Sequence, residues 1–318
     1  MNNKMKILIG YDGSGCANAA LEDLKSAGLP TTAEALVMSV ADVFIPPPIN
    51  EEIDNTFPMY VPAGVRHAHQ RAEHKLKEAN AIATCAREQI KKMFPEWEVS
   101  DLVVADSPAW AILREADRWK PDLIVVGAQG HAVFGGRLIL GSISQRVLYE
   151  AGCSVRIART RNVDKNYLRL LIGVDQSSFS SAAVEAVCNR EWPKGTEVRL
   201  LSVVDTVMAI TPDPSQPAVQ KWIEVDDEQN WNEISRIFNP EADKLRAAGL
   251  NTALVIRRGN PTDEILEEAE SWGADCIFLG PKGTRGIERL LLGSVSSAVA
   301  ARATNSVEII RKKSTTLP

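Results

Sequence analysis

The sequence predicts two tandem α/β domains, each a doubly wound sheet of five parallel strands, related by a pseudo-twofold, and three observations carry that expectation. The chain repeats itself: Ile7-Leu8-Ile9-Gly10-Tyr11-Asp12 returns as Leu170-Leu171-Ile172-Gly173-Val174-Asp175, and Met38-Ser39-Val40 returns as Leu201-Ser202-Val203. Short runs that are apolar on both faces alternate with helical patterns, as strands do when crossover helices cover both sides of a parallel sheet. Each copy ends with a glycine loop, Gly127-Ala-Gln-Gly130 before Gly141-Ser142 and Gly280-Pro-Lys-Gly283 before Gly293-Ser294.

The elements follow in order. Strands are predicted at Ile7–Gly10, Ala35–Val40, Val99–Val104, Leu123–Gly127 and Ser154–Ala158, and again at Leu170–Val174, Glu197–Val204, Leu254–Arg257, Cys276–Gly280 and Val307–Arg311. Ser14, and Ser177 or Ser178, stand where a hydroxyl would accept from the orphan amides of a first helical turn. Pro108 and Pro261 open the helices that carry Trp119 and Trp272, two equivalent positions read as core. Polar residues Thr160–Lys165 form the expected linker, giving domains at 1–160 and 166–318. The first copy carries ten extra residues within Ala41–Val65, including Pro46-Pro47-Pro48, a segment suited to a lid, a partner contact or a plain connector.

At 318 residues the chain is long enough for two cores of ordinary size. A net charge of -5 and a pI near 5.6, with both signs interspersed, do not suit a nucleic-acid binder. Five widely spaced cysteines without a C-x-x-C pair point to a reducing compartment, and no stretch of 18 apolar residues is present. A soluble cytoplasmic protein with no membrane partner is expected. His67, His69 and Glu73 fall at helical spacing but have no counterpart in the second copy, so no metal site is assigned.

Glycines let a backbone approach an anion closely, and a Gly-Ser at a helix start adds free amides, a hydroxyl and the positive dipole end. In doubly wound sheets ligands sit beyond the carboxyl ends of the strands, where Asp12, Gly127, Asp175 and Gly280 are placed. No G-x-x-x-x-G-K-[ST] loop is present, and Asn18 stands where a dinucleotide fingerprint needs its third glycine. Arg137 and Arg289, equivalent positions ahead of the Gly-Ser pairs, are open to phosphate contact or to plain solvation.

These residues resemble the universal stress proteins in their tandem form, over nearly the whole chain. Gly280, Gly283, Gly293 and Ser294 match that family's G-x-x-G-x(9)-G-[ST] pattern, while the first loop is one residue longer and Gln176 replaces the glycine found at Gly13. The resemblance implies an adenine nucleotide alpha hydrolase-like fold. It further implies that an Asp at the first strand end contacts the nucleoside, a second-strand residue contacts adenine, and the loop holds phosphates. By position these roles fall on Asp12, Val40, Gly127, Gly130, Gly141 and Ser142, and on Asp175, Val203, Gly280, Gly283, Gly293 and Ser294. The two aspartates also have a plainer reading as turn caps.

The expected ligand is ATP, with Mg2+ or Mn2+ carried on its phosphates, bound by a stress-response or regulatory protein with little or no turnover. The competing reading is an interaction scaffold on the same fold that binds no nucleotide. In the family the last strands pair, so an intramolecular pseudo-dimer is expected through Val155–Ile157 and Val307–Ile309, with Arg156 opposite or diagonal to Glu308. Homodimer formation is left open.

Overall fold

The computed structural model describes residues 4–43, 63–129, 140–159, 167–204, 217–281 and 292–312. Gly130, Gly283, Arg137, Arg289, the proline triplet and the linker lie outside them. The first copy runs β1 (Met5–Gly10), α1 (Gly15–Asp23), β2 (Ala33–Ala41), α2 (Ala63–Met93), β3 (Glu98–Ala105), α3 (Pro108–Trp119), β4 (Leu123–Gly127), α4 (Ser142–Glu150) and β5 (Ser154–Ala158). The second repeats it as β6 (Arg169–Val174), α5 (Ser178–Cys188), β7 (Glu197–Val204), α6 (Pro217–Ala247), β8 (Asn251–Arg258), α7 (Pro261–Trp272), β9 (Cys276–Leu279), α8 (Ser294–Arg302) and β10 (Ser306–Ile309).

All strands join one ten-stranded sheet in the order β3-β2-β1-β4-β5-β10-β9-β6-β7-β8. That order is a palindrome about the β5–β10 seam, as a pseudo-twofold requires. Within each copy every pairing is parallel, and only the seam is antiparallel, with Glu308 opposite Arg156 and Val307 opposite Ile157. Several strand ends lie one to three residues from expectation, and two have a visible cause. β10 stops at Ile309 because Arg311 leaves the ladder to bond Ser154, and β8 begins at Asn251 because this edge strand pairs along the whole of β7, Asn251 to Glu197.

The sheet's two faces are packed differently. On one, a single apolar cluster crosses the seam, joining Leu8, Ile124, Val155 and Ile157 to Leu171, Ile277, Val307 and Ile309 beneath α3, α4, α7 and α8. On the other, each copy has its own cluster, around Ile7, Ile9, Leu21 and Ile90 in the first and Leu170, Ile172, Val184 and Phe278 in the second. Because side chains alternate along a strand, the face that takes Val155 and Ile157 cannot take Arg156. Arg156 therefore points into the gap between the separate clusters, fully buried beside the fully buried Glu308.

There it is part of a quartet. Arg156 Nε donates to Asp23 at 2.5 Å and its Nη1 to Glu308 at 3.0 Å, while Arg190 grips the same Glu308 with two nitrogens, one at 2.9 Å. Two positive and two negative groups balance in the buried seam, which is the condition under which buried charge is tolerated. Burial alone would raise the Glu308 carboxyl, but Arg190 and then Arg156 outweigh it and hold it below its ordinary value. Burial pushes the neighbouring Cys276 thiol up to about 12.

Trp119 and Trp272 depart from the core reading. Each is half-buried with one side on the shared apolar cluster, and each carries cations: Lys6 lies 5.3 Å from the Trp119 ring, Arg199 4.5 Å and Arg169 5.6 Å from that of Trp272. The amphipathic ring closes the core's rim and uses its π face for the charge.

Candidate functional site

Each copy has a cavity at the carboxyl ends of its first and fourth strands. The first, about 230 Å³, is lined by Gly10, Tyr11, Asp12, Ala17, Met38, Val40, Asp42, Pro108, Ile112, Val126, Gly127, Gln129, Ile143 and Ser144. The second, about 160 Å³, is lined by Gly173, Val174, Asp175, Ser180, Leu201, Val203, Pro261, Ile265, Leu279, Gly280, Val295 and Ser296. Every wall residue of the second has its repeat equivalent in the wall of the first. The cavities are therefore one inherited feature, held twice.

The two floors differ by small steps. Leu279 replaces Val126 and leans over Gly173, where any Cβ would collide with it, whereas a Cβ on Gly10 would meet Val126 at 3.1 Å. Leu279, one methylene longer than Val126, takes up room on this floor.

Asp12 sits at the end of β1 because Gly13, at φ +76°, reverses the chain there. Its Oδ1 accepts the Ser14 amide at 3.0 Å, and the Ser14 hydroxyl accepts the Ala17 amide at 3.1 Å, so the turn and the start of α1 are one hydrogen-bonded unit. The second copy builds the same unit without glycine: Ser177 N donates to Asp175 Oδ1 at 3.0 Å and Ser180 N to Ser177 Oγ at 3.2 Å. Among the described residues Lys120 alone is a non-glycine at positive φ, so Gln176 takes an ordinary conformation and does not strain the turn. Both aspartates thus cap turns and wall a cavity together. The N-cap left open in the second copy is Ser177.

The glycine loops are clasped at their bases. Gly141 N donates to Ala128 O at 2.8 Å and Gly293 N to Pro281 O at 2.6 Å. The Ser144 hydroxyl holds the Gly127 carbonyl at 2.6 Å, and Ser296 holds that of Gly280 at 2.7 Å. Gly127 must be glycine for packing: a Cβ would lie 2.7 Å from the Cys16 carbonyl, and one on Gly280 2.8 Å from Phe179 Cβ.

Gly141 and Gly293 cap α4 and α8 with extended backbone and no side-chain bond, leaving no side-chain acceptor at those helix starts. Gly141, Ser142, Gly293 and Ser294 set the helix starts but stand outside the cavity walls, where their neighbours Ile143 with Ser144 and Val295 with Ser296 are found. Sequence reasoning missed Ser144 and Ser296, although Gly-Ser-x-Ser recurs in both copies. It also missed Asp42 and Gln129. Tyr11, its hydroxyl 2.5 Å from Asn18 Oδ1, has a raised pKa through burial, with Cys85 and Asp12 adding to it. No group of three or more His, Cys, Asp or Glu is placed to hold a metal among the described residues. No described helix is long and apolar enough to cross a membrane.

The fold and its paired cavities define a tandem, doubly wound α/β protein with one candidate site per copy. The model of the universal stress protein family matches residues 4–159 and 166–311, and the chain belongs to that family. It is 25% identical to Universal stress protein Rv2623 of Mycobacterium tuberculosis, over 99% of both chains. It is 24% identical to a universal stress protein of Mycolicibacterium smegmatis, over 96% of this chain and 97% of that one. The crystal structure of a universal stress protein from Archaeoglobus fulgidus shares the fold, with a TM-score of 0.59 at 19% identity, covering 96% of this chain and 98% of that one.

Proposed function

We propose that the chain is an ATP-binding stress-response or regulatory protein with little or no catalytic turnover, taking an adenine nucleotide in its paired cavities. The observation that supports this most is the chemistry of the walls. Met38, Val40, Ile112, Val126 and Ile143 offer a flat base an apolar slot, Asp12 stands at its mouth, and the glycine-capped start of α4 adjoins it. At about 230 Å³ the cavity suits base and sugar, with the phosphates extending toward the glycine-capped start of α4.

A Mg2+ or Mn2+ ion would come with the phosphates, supplying charge neutralisation there, since no described protein cluster offers a cage for it. Asp12 and Asp175 each accept a turn amide, which holds the carboxylate in place at the cavity wall. The first copy has the roomier cavity and the second the family loop spacing.

The test is direct. The protein is purified, denatured and analysed for released adenine nucleotide, then titrated calorimetrically with ATP and magnesium. Bound nucleotide or saturable heat supports the reading, and Gly130→Ala and Gly283→Ala then rank the copies. Neither nucleotide nor heat would leave the scaffold reading in its place.

A further inference from the structure

Helices α4 and α8 end without a left-handed cap residue, and Gly152, just past α4, is not at positive φ. Their C-caps, Ala151 and Ala303, are extended at ψ 137° and 145°, so the chain turns away and leaves carbonyls of the last turn without a following amide. In each case an arginine from the other copy takes one. Arg311, just after β10, donates to Leu148 O of α4 at 2.6 Å and to Cys153 O at 3.4 Å. Arg159, just after β5, donates to Ala300 O of α8 and to Asn305 O at 3.1 Å. The arms are bolted symmetrically as well: Arg311 N donates to Ser154 Oγ at 3.0 Å and Arg159 N to Ser306 Oγ at 3.1 Å. All these pairs are repeat equivalents, so the exchange is reciprocal.

A guanidinium at a helix C-terminus satisfies carbonyls and complements the dipole. Here each helix has nine residues, about 13 Å of rod, and its near end is the glycine-capped start beside a cavity. Ser144 or Ser296 fixes that near end, and the other copy's arginine fixes the far one. We propose that each site is positioned from across the seam: Arg311 is a positioning residue for the site of the first copy and Arg159 for the site of the second. For the binding step, this rests on the nucleotide reading above.

The test uses the full chain with Arg311→Met and Arg159→Met, and with Arg311→Lys and Arg159→Lys as milder partners should the first pair fold poorly. Hydrogen exchange is followed at the first turns of α4 and α8, without ligand and along an ATP-magnesium titration. Arg311→Met is expected to speed exchange at α4 alone and weaken the first site about tenfold, the loss of one charge-assisted bond. Arg159→Met is expected to do the same at α8 and the second site, and the lysine variants to fall between. Equal effects of either variant on both helices, or none on either, would overturn the crossed positioning. If the unmodified protein shows no nucleotide protection, the functional reading fails, while the crossed pattern of ligand-free exchange still decides whether the arginines position the helices.

Discussion

Replacing Glu308 by Gln keeps the side chain's shape and removes one of two negative charges from the buried quartet. Glu308 accepts from Arg156 at 3.0 Å and from two nitrogens of Arg190, one at 2.9 Å. After the change Asp23 still compensates Arg156, but Arg190, which also donates to the Ala27 carbonyl at 2.9 Å and lies 5.5 Å from the Phe278 ring, loses the negative charge that balanced it. Removing one partner of a buried ion pair costs about 3–5 kcal/mol, chiefly because the other charge is left behind. At about 2 °C per kcal/mol for a large cooperative unit, the melting temperature should fall by about 6–10 °C if both copies unfold together.

The pH dependence gives a second reading of the same change. The Glu308 carboxyl is lowered in the folded chain, so its stabilisation is fully present above the ordinary Glu value and is lost as pH falls through the lower folded value. The variant should therefore show a shallower loss of stability on acidification. Calorimetric melts of both proteins from neutral pH into the acid range, with Arg190→Met added to Glu308→Gln to restore neutrality, form the assay. A fall of less than about 1 kcal/mol, or a double variant as damaged as the two single changes combined, would refute the argument that an uncompensated charge is the cause.

Two further outcomes follow from the cavities. Gly127→Ala should destabilise the first copy by about 1–3 kcal/mol in chemical denaturation, because its Cβ would lie 2.7 Å from the Cys16 carbonyl, a backbone atom that cannot swing aside. Gly13→Ala should cost about 1–2 kcal/mol for its positive φ, whereas Gln176→Gly, at the equivalent place in an ordinary conformation, should gain nothing; equal and opposite shifts would contradict the turn geometry.

Much of this was legible in the sequence because the repeat supplied an internal alignment. Each strand read twice, and positions such as Asp12 and Asp175 were fixed relative to the sheet by flanking apolar runs. The opposition of Arg156 and Glu308 was legible for the same reason. Asp23 and Arg190 were not, because they come from the end of α1 and the turn after α5, and their repeat equivalents are Ala186 and Ala27. Only the distance between helix ends across the seam brings them in. Ser144, Ser296, Arg159 and Arg311 did recur at fixed spacing, yet a recurring polar residue says nothing of its partner when that partner is a backbone carbonyl. The cations on Trp119 and Trp272 were hidden likewise, since Lys6, Arg169 and Arg199 reach them from neighbouring strands.

The antiparallel seam has a consequence for access. Strands of one copy run opposite to those of the other, so their carboxyl ends, and the cavities there, open on opposite edges of a single sheet. A small partner docking at one edge meets one mouth and never the other. The chain thus has two separately addressable ends, and a protein able to sense both must span its full width.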